Sequence, residues 1–184
     1  MTDNLFFTET NRLLLRKLTP SDFNDLCKIL QDKDVMYAYE GAFNDEETQN
    51  WLDKQLMRYQ EDGFGLYAVI LKETGEMIGQ CGLTMQDIPG ERVLEIGYLF
   101  RKEYWHNGYA TEAAKACKEY AFGVLKADKV YSIIRDSNTA SQNVAKRNGM
   151  VCIGEFVKYY RGVEMPHYIF SVENRLLNEI KGTE

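Results

Sequence analysis

The chain has 184 residues, a formal net charge of -6 and 27% charged residues, which suits one ordinary globular domain and is short for two. A hydrophobic share of 45% and an aromatic share of 12% exclude a disordered chain. No stretch approaches the ~18 uninterrupted apolar residues of a membrane span, no leader of signal-peptide type opens the sequence, and no Lys/Arg run offers a nucleic-acid footprint.

The expected setting is therefore the cytoplasm, without membrane or nucleic acid as partner. Acidity at pI ≈ 5.1 penalises cationic partners such as amines less than anionic ones, although bulk charge says little about one pocket. Cys27, Cys81, Cys117 and Cys152 stand singly among apolar neighbours, with no paired spacing for zinc or redox chemistry, and read as buried thiols. No metal is expected.

In chain order, "RLLLRKL" (12–18) reads as an opening strand. "TPSDFNDLCKILQD" follows as a helix, with Thr19 as N-cap and Pro20 at its first position. "NDEETQNWLDKQLMRYQED" is acidic in its first turn and carries Trp51, Leu52, Leu56 and Tyr59 on one side, predicting a second amphipathic helix that ends before Gly63. The runs "GLYAVIL", "MIGQCGLTM" and "VLEIGYLF", separated by "KETGE" and "QDIPGER", predict an antiparallel meander.

Helical spacing returns from Tyr109 to Val124, with a small-residue face of Ala110, Ala113, Ala114 and Cys117 suited to close packing on a sheet. "KVYSII" predicts a strand. "TASQNVAKRN" predicts a short helix with capping-box spacing at Thr139 and Gln142 and a left-handed stop at Gly149. "MVCIGEFVKYY", the turn "RGVEMP" and "HYIFSV" close the chain as a hairpin. The order β-α-α-β-β-β-α-β-α-β-β describes a single α/β domain over 1–184, with a core of about 8–172 and a mixed, mostly antiparallel sheet flanked by helices.

The abrupt passage from "VLEIGYLF" to the helix at Tyr109 is the chemically suggestive stretch. Gly108 lacks the Cβ that would hold a ligand off the backbone, Ala110 is nearly as small, and the first N-H groups of a helix have no intrahelical acceptor. An anion suits that position, a pyrophosphate included. The same small residues would also serve tight packing, and this stretch alone leaves both readings open. GxGxxG and Walker patterns are absent, and "GFG" (63–65) precedes a strand, so the usual nucleotide folds fail on context.

"YLFRKEYWHNGYATEA" followed by "RDSNTASQNVAKRNGM" closely resembles the GNAT N-acetyltransferases, in particular the branch of ribosomal-protein N-terminal acetyltransferases and their relatives. The first segment is similar to that branch's Y-x-L-x-x-x-x-W-G-K-G-Y-A-T-E-A. The second resembles its N-x-x-S-x-x-V-x-x-K-x-G-F at Asn138, Ser141, Val144, Lys146 and Gly149. His106 and Asn107 depart from the usual Gly and basic residue, which should stiffen the loop and remove one phosphate-facing cation. Ala145 stands where many members of the wider family carry a tyrosine that protonates the leaving thiolate.

The resemblance implies acetyl-CoA as cosubstrate, its pyrophosphate on the amides of His106, Asn107, Gly108, Tyr109, Ala110 and Thr111, and its pantetheine arm paired with Leu99, Phe100 and Arg101. It implies a main-chain donor near Leu99 or Phe100 for the thioester oxygen, and cofactor contacts from Asn138 and, more weakly, Asn143. Asn138 would equally serve as a helix cap. The implied reaction is direct attack of a primary amine, from a peptide N-terminus or a small molecule, in a ternary complex, by a monomer or homodimer. Glu95 shares a strand face with Gly97 and Leu99 and is the candidate base, with a solvent-facing or structural role as its alternative. Ser141 is the candidate acid, or else makes local helix bonds.

An α-amine with a pKa near 8 is about one-tenth neutral at pH 7, whereas a lysine amine near 10.4 is neutral in about one molecule in 2,500, so the α-amine is the easier acceptor by ~3 kcal/mol. Tyr39, Glu40, Tyr160 and His167 lie in aromatic-rich segments that could cradle a cation or simply join the core. Against an enzyme stands a CoA-sensing or scaffolding module that keeps the loop and has lost the chemistry, as Ala145 would allow.

Overall fold

The predicted meander forms the centre of an eight-stranded sheet of order β1-β2-β3-β4-β5-β6-β8-β7. The structure, a computed structural model, describes residues 6–174. Its strands are β1 (Phe6–Glu9), β2 (Leu13–Lys17), β3 (Leu66–Leu71), β4 (Met77–Ile88), β5 (Glu91–Phe100), β6 (Lys129–Arg135), β7 (Val151–Tyr160) and β8 (Val163–Glu173). Its helices are α1 (Phe23–Leu30), α2 (Asp45–Glu61), α3 (Tyr109–Gly123) and α4 (Thr139–Arg147). Every neighbouring pair is antiparallel except β5 and β6. A helix connects those two, and a parallel pair needs such a crossover.

The two faces carry separate cores. One packs Leu13, Leu15, Val69, Ile78, Leu83 and Ile96 against Ala113, Ala114, Cys117 and Ala121 of α3 and Val144 and Ala145 of α4. The other packs Leu26, Ile29 and Leu30 of α1 and Leu52 of α2 against Ala68 and Met77, with Leu99 at its margin. The small-residue face of α3 is thus what meets the sheet. The thiols of Cys81 and Cys117 meet there, 3.6 Å apart and buried, while Cys152 is exposed and Cys27 only partly covered, so the expectation of four buried thiols holds for two.

Several boundaries move for physical reasons. β1 precedes the expected opening strand, anchored by Phe7 stacked on Tyr67 at 3.8 Å. Pro20–Asp22 forms a 3-10 turn capped by Thr19, and α1 begins only at Phe23. The expected loop "QDIPGER" is mostly strand, because β4 continues to Ile88 and β5 starts at Glu91. The last hairpin likewise turns on Arg161 and Gly162, both with positive φ, and β8 includes the residues read as a longer turn. The cap of α4 is Asn138, whose Oδ1 accepts from the Ser141 N-H at 3.0 Å, rather than a box built on Thr139. Gly149 has φ +80, the left-handed stop its position required.

Candidate active site

A short 3-10 turn (Lys102–Tyr104) leads from β5 to α3, and the indole of Trp105 pins it by donating to the Phe100 carbonyl at 2.9 Å. His106 then takes φ +62 and Gly108 φ +80, so the chain turns through two left-handed residues into the helix. Among the described residues, no acceptor meets the N-H groups of residues 106–111. A Cβ on Gly108 would approach only Arg12 Nη2, at 3.6 Å. Open donors, a glycine with little beside it and the positive end of a 15-residue helix together suit an anion.

Arg12 completes the arrangement. From the turn between β1 and β2, its Nη1 donates to the Asn107 carbonyl at 3.1 Å, its guanidinium lies 4.4 Å from the centre of the Tyr109 ring, and it pairs with Glu112 at 2.6 Å. A cation therefore stands at the loop even though Asn107 is neutral. Asn107 turns its own amide back onto the Trp105 carbonyl at 2.9 Å.

Between β5 and β6 the register holds one pair, Glu95 with Tyr131. Beyond it the strands part, and side chains replace the ladder: Ser132 Oγ donates to the Ile96 carbonyl at 2.9 Å, and the Ile133 N-H donates to Glu95 Oε1 at 3.2 Å. Further along, the Arg101 N-H donates to the Ile78 carbonyl and the Arg101 carbonyl accepts from Tyr104. Alternate residues of a strand direct their main-chain groups to opposite neighbours. Leu99 therefore faces β4 as Arg101 does, and Tyr98 and Phe100 present their N-H groups to the opening.

Beside that opening lies a cavity of about 470 Å³ whose lining runs from Tyr39, Trp51 and Arg58 through Glu95 and Leu99 to Asn138, Ser141, Lys158 and His167. Glu95 is half-buried, with Gly97 beside it, where a Cβ would lie 3.9 Å from Oε2. Burial holds its carboxyl above the ordinary carboxylate range, against the opposing pull of Lys158, the Ile133 N-H, the Thr84 hydroxyl and Arg58. Across the gap the Tyr98 hydroxyl donates to the Ser141 carbonyl at 2.9 Å, tying β5 to α4. Burial pushes the His167 imidazole down, and Nδ1 lies 2.8 Å from the Met165 carbonyl, so Nδ1 carries the proton of the neutral ring and Nε2 is the bare nitrogen.

The sequence profile of the acetyltransferase (GNAT) domain matches residues 12–151, most of the chain. This chain belongs to the GNAT acetyltransferases. It is 38% identical to the uncharacterized protein YkkB of Bacillus subtilis over 142 residues, covering 77% of this chain and 83% of YkkB. A GNAT-family acetyltransferase structure from Bacillus anthracis superposes with a TM-score of 0.78 at 28% identity, over 92% of this chain and 99% of that one. The ribosomal L7/L12 α-N-protein acetyltransferase RimL, solved in complex with coenzyme A, shares the fold with a TM-score of 0.74 at 18% identity, over 91% and 97% of the two chains.

The GNAT fold brings Glu95, Leu99, Asn138 and Ser141 to one cavity, while residues 106–111 lie outside its lining. Asn143 is on the exposed side of α4, away from the cavity, and Ala145 is buried in the core. Of the four residues named as a possible cation cradle, Tyr39, Tyr160 and His167 line the cavity, while the Glu40 carboxylate is paired with Arg135. Sequence reasoning missed Arg12, Tyr98 and Asn148. Asn148 is buried and donates to the Thr111 carbonyl at 3.3 Å, holding the first turn of α3 against α4, and only its place before Gly149 marks it in the sequence. Among the described residues no group of three or more His, Cys, Asp or Glu is placed to hold a metal, and no helix is long and apolar enough to cross a membrane.

Proposed function

We propose that this GNAT protein is an acetyl-CoA-dependent N-acetyltransferase whose acceptor is a primary amine bound in the cavity beside Glu95. The observation that carries the reading is the row of unpartnered amides at residues 106–111, which fits a diphosphate without displacing any protein bond. Acetyl-CoA supplies an activated acyl group. The chain holds the diphosphate on those amides and offers the N-H groups of Tyr98 and Phe100 to the pantetheine arm and the thioester oxygen. One such aligned donor is worth about 10² to 10³ in rate in other acyl transfers.

Glu95 takes the proton of the attacking amine, its raised pKa bringing it toward that of its partner. Ser141, on the far side of the gap, returns a proton to the departing sulfur in place of the phenol that Ala145 cannot supply. Asn138 keeps its side-chain N-H groups for the cofactor while its carbonyl caps α4. Proximity in a ternary complex provides much of the remaining acceleration. No enzyme nucleophile is needed, and the cysteines stay out of the chemistry.

The competing reading, a CoA-binding module without chemistry, draws on the buried Ala145. Release of free CoA thiol across a panel of peptides and small amines, with mass detection of the acetylated product, separates the two. Turnover on an amine establishes the enzyme; tight acetyl-CoA binding with no turnover on any amine establishes the module.

A further inference from the structure

The cavity wall carries charge opposite to that of the chain. Against a net charge of -6, its lining includes Lys54, Arg58, Arg135 and Lys158 but one carboxylate, Glu95. Arg135 is paired with Glu40, yet its Nε remains buried with no acceptor. Among the described residues Lys54, Arg58 and Lys158 have no carboxylate within ion-pair distance. Arg58 reaches only the neutral Gln55 Oε1, at 3.3 Å, and Lys158 Nζ lies 5.6 Å from the centre of the Phe156 ring.

These cations lie apart from the amides proposed to hold the cofactor's diphosphate. Arg58 is on α2, which packs on the face of the sheet opposite α3, and none of residues 106–111 lines the cavity. Arg58 and Lys158, both partly buried, share the single carboxylate Glu95, and the excess positive charge is unfavourable until a ligand's anion offsets it. The same field opposes an ammonium group and lowers the pKa of an amine that enters, so a polyamine is repelled while a neutral nitrogen is favoured.

Resting on the reading of this cavity as the acceptor site, we infer that the acceptor is a primary amine bearing its own anionic group, a carboxylate or a phosphate, close to the nitrogen. Arg58 and Lys158 hold the anion, and Glu95 receives the proton of the nitrogen it presents. Acidic amino acids, peptides that begin with aspartate and amino-sugar phosphates share this chemistry.

Matched acceptors test it on the full-length protein: an Asp-initiated peptide against its Asn-initiated counterpart, glucosamine 6-phosphate against glucosamine, and spermidine as the cationic extreme. The peptide and sugar arms separate carboxylate from phosphate. The expected result is a kcat/KM at least about tenfold higher for the anionic member of a pair, carried mainly by KM and shrinking as salt is raised. Arg58→Gln and Lys158→Gln should each reduce that ratio towards one, with acetyl-CoA affinity by calorimetry as the folding control. The wild-type ratio decides by itself. Equal or better turnover of the neutral or cationic partners overturns the inference while leaving the enzyme intact, whereas bound acetyl-CoA with no turnover on any amine removes the acetyltransferase reading and the inference together.

Discussion

The two sides of β5 offer different kinds of group to a ligand. On the α3 side the ligand-facing groups are main chain: the amides of 106–111 and the N-H groups of Tyr98 and Phe100, framed by a Gly108 that offers no side chain. On the α2 side they are side chains drawn from distant parts of the chain, among them Trp51, Arg58, Glu95, Lys158 and His167. Main-chain recognition survives most substitutions because every residue supplies the same donor. Side-chain recognition changes with each one, so under the proposed function the first side would suit a fixed cosubstrate and the second would be where relatives diverge.

Glu95→Gln strikes where the two sides meet, and the proposed base predicts a fall in kcat of about 10² to 10⁴. A base must be deprotonated, and burial raises this carboxyl, so the wild-type rate should climb as pH passes the raised value and the variant rate should not. A climb that persists in the variant assigns the base elsewhere. The proton is also bound more tightly in the fold than in the unfolded chain. Its contribution to stability is complete below the ordinary carboxylate value and is lost as pH rises through the folded one, a decline the variant lacks. Thermal unfolding across that window checks it.

Gly108→Trp tests the main-chain side. The indole would fill the approach to the open amides, at a φ of +80 that L-residues resist, and acetyl-CoA affinity by calorimetry should fall by more than about 100-fold, or ~2.7 kcal/mol. Unchanged affinity would move the cofactor elsewhere. Asn138→Ala removes the cap on Ser141 and should cost ~1 kcal/mol in denaturant unfolding, with an additional loss of acetyl-CoA affinity only if the amide also contacts the cofactor. His106→Gly should have the smallest effect. It relieves a left-handed residue worth ~1–2 kcal/mol but adds unfolded-state freedom worth ~0.5–1 kcal/mol, leaving a stability gain between zero and about 1.5 kcal/mol in thermal melts.

The same contrast explains what could be read from the sequence. The meander, the two amphipathic helices and the small-residue face of α3 were legible because period and turn chemistry are local properties. The left-handed entry to α3 at Gly108 was legible because a glycine just before a helix start permits that turn, although the stretch alone left anion binding and tight packing both open. β1 was not, since its four residues depend on Phe7 finding Tyr67 some 60 positions away. The charge of the cavity beside Glu95 was not either: Arg58 and Lys158 sit on a helix and an edge strand 100 residues apart, and nothing local distinguishes them from solvated surface cations. The aromatic segments suggested a cation site, and the ion pair between Glu40 and Arg135 removes the acid on which that expectation leaned.

Arg12 reaches from the turn between the first two strands to clasp a loop nearly 100 residues later, through Asn107, Tyr109 and Glu112. The posture of that loop is thus a property of the N-terminal hairpin as much as of its own residues. Peeling the first two strands away by proteolysis or mechanical pulling would unmoor the start of α3 while leaving the central meander paired, and the proposed hold on a diphosphate would slacken before the sheet came apart.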